Sequence, residues 1–133
     1  MNLLNLLNFR DPVLLPVYLA LLALAFSTPL YIILRMHGYT RRYSLIFFIL
    51  APLAEEIVLR LILLTYLLTI FEPLTAIIIS TTIYMIYADL VYGPPFIAEA
   101  LVTGILFGFA FLEVGIIPVL IAHFLYRPIR IIW

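Results

Sequence analysis

Cysteine, lysine and glutamine are all absent from this chain of 133 residues. The absence of cysteine excludes disulfide bonds and thiolate metal ligands, and it removes the usual indicator of redox compartment. Because lysine is absent, all seven cations are arginines, and seven acidic residues balance them. This balance excludes both the basic surface of a nucleic-acid-binding domain and a polybasic lipid-binding tail.

Charge of either sign is scarce. Charged residues make up 11% of the chain and hydrophobic residues 67%, and the mean hydropathy is +1.27. A water-soluble domain of this composition could not cover its surface with polar groups. We therefore predict an integral membrane protein whose partner is the lipid bilayer, with one all-α, membrane-embedded domain over residues 1–133.

Long apolar runs, separated by short polar or Pro- and Gly-containing stretches such as "FEP" and "YGPP", predict a bundle of five transmembrane helices. Their approximate ranges are 12–36, 44–70, 73–91, 96–112 and 116–132. The asparagine-containing segment 1–11 before them is compatible with a short helix at the membrane interface.

The arginines predict the orientation of this bundle in the cell membrane. Arg35, Arg41 and Arg42 lie in the first polar loop, and Arg127 and Arg130 lie near the carboxyl end. If five helices alternate in direction, both groups fall on the same side. The positive-inside rule then predicts that this side is cytoplasmic.

The stretch "LAPLAEEIVLRLILL" places Glu55, Glu56 and Arg60 inside an apolar run. Along the helix axis, Glu55 is roughly 18 Å from the end of the first loop, so it should lie near the middle of the bilayer. Glu56 and Arg60 share a helix face and predict an ion pair, whereas Glu55 is rotated by about 100° and should be the less neutralised carboxylate. Buried charges at this depth usually face a protein interior or a wet cavity. The alternative is a structural ion pair that fixes helix packing, with Glu55 protonated.

Further polar residues lie in the later helices. His123 lies near the middle of the fifth span, where an imidazole caps a polar cluster, transfers protons or binds a metal. Arg127 shares its face, and Pro128 predicts that the helix kinks or ends there. The alternative for Arg127 is an interfacial arginine that reaches the headgroups. Asp89 is either a site residue or an end-of-helix acid in water, and Glu99 is a first-turn acid favoured by the helix dipole.

Two of these stretches resemble the CPBP family of intramembrane proteases, which includes the type 2 CAAX prenyl endopeptidases and the bacteriocin-processing and immunity (Abi) proteins. "EEIVLR" matches that family's first motif, EExxxR. "FIAEALVTGILFGFAFLEVGIIPVLIAHFLYRP" is similar to its final helix pair, with Gly104, Gly108 and the third-motif histidine, His123. The resemblance covers about residues 44–127, so the helix at 12–36 would be an addition to the core.

In that family the first glutamate and a histidine of the motif FxxxH are thought to activate water. A histidine and an asparagine of the motif HxxxN stabilise the oxyanion, and metal dependence has also been proposed. The resemblance implies that Glu55 is the general base, that Glu56 and Arg60 support it, and that His123 is an oxyanion donor or a ligand.

The chain departs from the family at two positions. Tyr84 stands at the aromatic position of the second motif, but Ala88 stands at its histidine position, and Arg127 stands at the asparagine position of the third motif. No other histidine lies between residues 37 and 123, and no asparagine follows residue 8, so a different alignment cannot supply the missing groups.

Two residues already present in the chain could replace the missing groups. Asp89 could act in place of the histidine, and Arg127 could donate hydrogen bonds to an oxyanion as asparagine does. No cofactor is required by the sequence, but for zinc or another divalent ion Glu55, Asp89 and His123 would form a three-ligand open site.

Three hypotheses for the function remain. The first is an intramembrane endopeptidase that uses water activated at Glu55 and cleaves a peptide or a prenylated protein. The second is a catalytically inactive relative that serves as a subunit of a membrane complex, and the third is a membrane protein that handles protons or a small solute. Little surface outside the membrane is predicted, which favours other membrane subunits as partners.

Overall fold

The computed structural model describes residues 15–37 and 44–132, and the side chains of all of these except 37, 45, 48, 131 and 132. The predicted interfacial helix at 1–11, Arg41 and Arg42 lie outside the described residues.

Helices form almost all of the described chain, and these ranges contain no strand. The elements are α1 (Leu15–His37), α2 (Leu45–Glu56), the π-helix π1 (Ile57–Leu64), α3 (Thr65–Leu67), α4 (Pro73–Tyr92), α5 (Phe96–Val114) and α6 (Ile116–Ile132). Because α2, π1 and α3 follow one another without a break, the chain has five helical segments between 15 and 132, as the apolar runs predicted.

Three of the helices are long and apolar enough to cross a bilayer by length and composition: Leu15–Met36, Pro73–Tyr92 and Phe96–Val114. A span needs about 20 residues at the rise of an α-helix. Of the other two segments, α6 has 17 residues, and the second segment is divided by its π-helix. The prediction of an integral membrane protein is thus confirmed.

Local chemistry explains where the helices begin and end. Ser44 caps α2, and its hydroxyl accepts a hydrogen bond from the Phe47 amide at 3.3 Å. Gly93 ends α4 at φ 107°, and Gly115 separates α5 from α6 at φ 85°. Both φ values are in the region that glycine adopts without the steric penalty of a Cβ. The turns predicted from "YGPP" and "EVG" therefore have a backbone reason.

Of the two outcomes predicted at Pro128, a kink or an end, the end is wrong, because α6 continues through Pro128 to Ile132. The proline ring lies on the exposed side of the helix, away from the packed helices. Membrane helices tolerate an internal proline when neighbouring groups satisfy the freed carbonyl. As a result, Arg130 lies on the same helix as Arg127.

The close approach of α4 and α5 depends on two glycines. A Cβ on Gly104 would lie 2.6 Å from Cγ2 of Thr81, and one on Gly108 would lie 3.2 Å from Cγ2 of Ile77. Helix α5 also packs on α1, and α6 packs on both α1 and α2. These contacts bring residues of α2, α4, α5 and α6 to one buried region.

Candidate functional site

Six ionisable side chains from four elements meet in the bundle, and we call them the Glu55 cluster. They are Glu55, Glu56, Arg60, Glu99, His123 and Arg127, and each is at most 4% exposed. Five of the six site residues predicted from the sequence therefore lie together. The exception is Asp89, and Glu99 is an addition.

Glu55 accepts hydrogen bonds on both carboxylate oxygens. Arg127 Nη2 lies 2.7 Å from Oε2, and the Tyr84 hydroxyl donates to the same oxygen at 3.2 Å. The Tyr92 hydroxyl donates to Oε1. The prediction that Glu55 is the less neutralised carboxylate was wrong, because its cationic partner comes from a helix 72 residues further along the chain.

Glu56 lies in the ion pair that its spacing predicted. Its Oε2 is 3.4 Å from Nε of Arg60, at the junction between α2 and π1. Arg60 Nη2 also donates to the Thr103 carbonyl of α5 at 2.9 Å. The other oxygen of Glu56, Oε1, lies 2.7 Å from Nδ1 of His123. Glu56 therefore connects the second helical segment to α6.

The contacts of His123 assign its tautomer. Its Nε2 lies 3.0 Å from Arg127 Nη2, and a guanidinium can only donate, so Nε2 is an acceptor without a proton. The proton is therefore on Nδ1, which donates to Glu56. Nε2 also lies 3.5 Å from Glu55 Oε2. Both of these atoms are hydrogen-bond acceptors, so they do not bond to each other. In this arrangement His123 lies between Glu56 and Arg127 and holds the guanidinium.

Arg127 lies at the centre of the Glu55 cluster. Its Nε donates to Glu99 Oε1 at 3.0 Å, and its guanidinium carbon lies 4.8 Å from the centre of the Tyr92 ring. Its Nη1 is buried and has no hydrogen-bond partner among the described residues. The interpretation of Arg127 as an interfacial arginine was wrong, because carboxylates from α2 and α5 neutralise it inside the bundle.

Asp89 is not part of this arrangement. Its side chain on α4 is half-buried, and it makes no ion pair or side-chain hydrogen bond within the described residues. Tyr84, Ala88 and Tyr92 form the buried face of α4, with both hydroxyls on Glu55, and Asp89 lies about 100° around the helix from Ala88. The structure therefore does not bring Asp89 to the position of the missing histidine.

The donor set does not fit the predicted metal site. No group of three His, Asp or Glu side chains in the described part of the chain could hold an ion, so Glu55, Asp89 and His123 do not form a ligand set. Glu55 Oε2 and His123 Nε2 both contact Nη2 of Arg127, so a guanidinium already lies between the two strongest candidate ligands. We therefore derive no chemistry through a metal.

Sequence reasoning did not assign Glu99 or Tyr92 to the site. Glu99 lies between Ala98 and Ala100 in an apolar helix, and this setting indicates burial. The favourable interaction of a first-turn acid with the helix dipole already explained its position, so no site role was assigned to it. Tyr92 precedes "GPP", and nothing local to it indicates a carboxylate partner. Both contacts depend on helices that are distant in sequence.

A second buried group lies three residues further along α6, and we call it the Arg130 cluster. Arg130 is 1% exposed and donates to the hydroxyls of Ser27, Thr28 and Tyr126 at 2.7, 3.2 and 3.3 Å. Its guanidinium carbon also lies 4.3 Å from the centre of the Tyr31 ring. These contacts connect α6 to α1 through neutral groups.

A protein-family model described as "Type II CAAX prenyl endopeptidase Rce1-like" matches residues 19–128. The chain belongs to this family. The match contains all six residues of the Glu55 cluster and extends from within α1 to α6. The family resemblance carried by "EEIVLR" and by the helix pair before Arg127 is thus confirmed. No curated protein and no solved structure matched the chain.

Proposed function

We propose that this protein is an intramembrane endopeptidase in which Glu55 accepts a proton from the attacking water. Membership of the prenyl endopeptidase family supports the reaction class. One observation carries the assignment of residues: Arg127 pairs with Glu55 through Nη2, while its adjacent Nη1 has no partner among the described residues. A proton acceptor and an unused hydrogen-bond donor therefore lie side by side in a buried site.

The hydrogen bonds of Glu55 indicate which of its oxygens would accept the proton. A carboxylate has about four acceptor positions, two on each oxygen. Arg127 and Tyr84 use both positions of Oε2, and Tyr92 uses one position of Oε1. Oε1 has fewer of these donors than Oε2 and is the oxygen where a water would be activated.

The reaction can be written with these groups alone. Water transfers a proton to Glu55 Oε1 while its oxygen bonds to the carbonyl carbon of the peptide, and the carbonyl oxygen becomes an oxyanion. The N–H groups of Arg127 Nη1 donate to that oxyanion. When the C–N bond breaks, Glu55 returns its proton to the leaving nitrogen. The products are a carboxylic acid and an amine.

His123 and Glu56 have a supporting role in this proposal. The resemblance implies that His123 is an oxyanion donor or a ligand, but its Nε2 accepts from Arg127 and therefore has no proton to donate. The contacts instead support a chain in which Glu56 orients His123 and His123 orients Arg127. Such supporting hydrogen bonds restrict the guanidinium to one orientation.

The family description suggests the substrate class, a prenylated peptide with a carboxyl-terminal CAAX sequence. The test uses the chain purified and reconstituted in liposomes, with a farnesylated fluorogenic CAAX peptide, and identifies the products by mass spectrometry. We expect cleavage by the wild type and by Glu72→Gln, whose acid is exposed in a turn, and none above background by Glu55→Gln. A wild type without cleavage contradicts the proposal.

A second candidate function, a relative without hydrolytic activity, is favoured by one observation. Arg127 Nη2 contacts both Glu55 Oε2 and His123 Nε2, and Ala88 supplies no imidazole beside them. Restoring the family residues with Ala88→His and Arg127→Asn separates the two candidates. If only the restored double variant cleaves the peptide, the wild type is an inactive relative with a structural role.

A further inference from the structure

Two tyrosines on α4 hold the Glu55 carboxylate, and they do so differently. Tyr84 donates to Oε2, and its hydroxyl also lies 3.3 Å from Arg127 Nη2, so it bridges two groups that already contact each other at 2.7 Å. Tyr92 donates to the other oxygen, Oε1. The loss of the Tyr92 hydroxyl would therefore remove a hydrogen bond that fixes Oε1, whereas the loss of the Tyr84 hydroxyl would leave the ion pair intact.

The position of Tyr92 is fixed from several sides. The residue is fully buried, and its ring centre lies 5.0 Å from that of Phe96, 6.0 Å from that of Tyr87 and 6.2 Å from that of Phe47. The Arg127 guanidinium covers the same ring at 4.8 Å. One rigid side chain thus contacts the carboxylate with its hydroxyl and the guanidinium with its ring face.

We propose that Tyr92 is a positioning residue, which holds Glu55 Oε1 so that this oxygen faces the reacting water. This inference rests on the function proposed above. A carboxylate held by Arg127 and Tyr84 at one oxygen can still rotate about its last side-chain bond, because those terminal torsions are broad. The Tyr92 hydroxyl limits that rotation and so restricts the direction from which a water can approach Oε1.

The kinetic test compares three substitutions that each remove one buried hydroxyl: Tyr92→Phe, Tyr84→Phe and Tyr126→Phe. Tyr126 is a matched control, since it is fully buried and its hydroxyl bonds within the Arg130 cluster. We expect Tyr92→Phe to lower kcat by about tenfold or more with KM within about twofold, because misorientation of a reacting group reduces the rate of the chemical step. Tyr84→Phe should lower kcat less, by about twofold to threefold, and Tyr126→Phe should leave it unchanged.

A second measurement does not depend on turnover. The infrared carboxylate stretch of Glu55 is the band that disappears in Glu55→Gln. Its frequency should shift in Tyr92→Phe, because the number of hydrogen bonds to Oε1 changes, and should stay the same in Tyr126→Phe. This band reports the contact even in a preparation that hydrolyses nothing.

The outcomes separate the two proposals. A wild type that does not cleave the peptide overturns the proposed function and the reaction role of Tyr92, while the infrared band still shows whether Tyr92 holds Glu55. An active wild type whose Tyr92→Phe variant keeps its kcat overturns the positioning role alone. The same result follows if only KM changes, if Tyr126→Phe loses as much activity, or if the Glu55 band does not move.

Discussion

Two fully buried arginines, three residues apart on α6, have opposite kinds of partners. Arg127 contacts the carboxylates of Glu55 and Glu99 and the imidazole of His123. Arg130 makes no ion pair within the described residues and bonds to hydroxyl groups of α1 and α6, with tyrosine rings beside its guanidinium. Negative charges therefore stabilise Arg127, whereas neutral dipoles stabilise Arg130 on the same helix.

The difference determines what each cluster can do. Carboxylates that have lost a buried cation are left as uncompensated charges, so the members of the Glu55 cluster depend on one another. In the Arg130 cluster the hydroxyls of Ser27 and Tyr126 already bond to each other at 3.1 Å and keep a partner without the arginine. The Glu55 cluster holds groups suited to proton transfer, whereas the Arg130 cluster attaches α1 to α6.

The largest expected effect concerns activity. Glu55→Gln keeps the shape of the side chain but removes the proton acceptor, and we expect the initial rate of peptide cleavage to fall by about 10²- to 10⁴-fold. Arg130→Met should change the rate by no more than about threefold, because Arg130 does not contact the Glu55 cluster. The comparison fails if Arg130→Met lowers the cleavage rate as much as Glu55→Gln does.

The second prediction concerns the free energy of unfolding, measured by steric trapping in bicelles. Arg127→Met leaves Glu55 and Glu99 buried without their cation and should destabilise the protein by about 3–5 kcal/mol. Arg130→Met removes hydrogen bonds to neutral groups and should destabilise it by about 1 kcal/mol. Equal losses of stability would mean that the two arginines are held in the same way.

Glu99→Gln tests the contribution of the carboxylate that the sequence did not reveal. The amide oxygen can still accept from Arg127 Nε, but the charge is lost. We expect a destabilisation of about 1.5–3 kcal/mol, measured in the same way, because hydrogen bonds to charged groups contribute about that amount. Glu113→Gln, at the exposed end of α5, is the matched control and should leave the stability unchanged. A loss no larger than that of the control would place Glu99 outside the Glu55 cluster energetically.

The smallest effect tests the helix packing that supports the Glu55 cluster. In Gly104→Ala the new methyl group would lie 2.6–2.7 Å from the Thr81 side chain, and we expect a destabilisation of about 1–3 kcal/mol. Combining it with Thr81→Ala removes the two nearest atoms and should restore part of the loss. The two single losses of stability would simply add in the double variant if the contact with Thr81 were unimportant. In that case Gly104 does not set the distance between α4 and α5.

Several features could be predicted because their causes are local. The pair of Glu56 and Arg60 follows from a spacing of four residues on one helix face, and the ends of α4 and α5 follow from Gly93 and Gly115. Asp89 shows the opposite case. Its chemistry suited a site, but its angular position on α4 excludes it, and periodicity alone did not show which face of that uniformly apolar helix packs inward.

A five-segment membrane bundle of the prenyl endopeptidase family, with charges buried near its centre, could be predicted from the amino-acid sequence alone. Apolar run length, helix-breaking residues and the motif "EEIVLR" are properties of short stretches. The pairing of Arg127 with Glu55 and Glu99, and the contact of Tyr92 with the other oxygen of Glu55, could be read only from the folded bundle. These partners are 28 to 72 residues apart, and in an apolar bundle the choice among buried charges is made by which helix faces pack together.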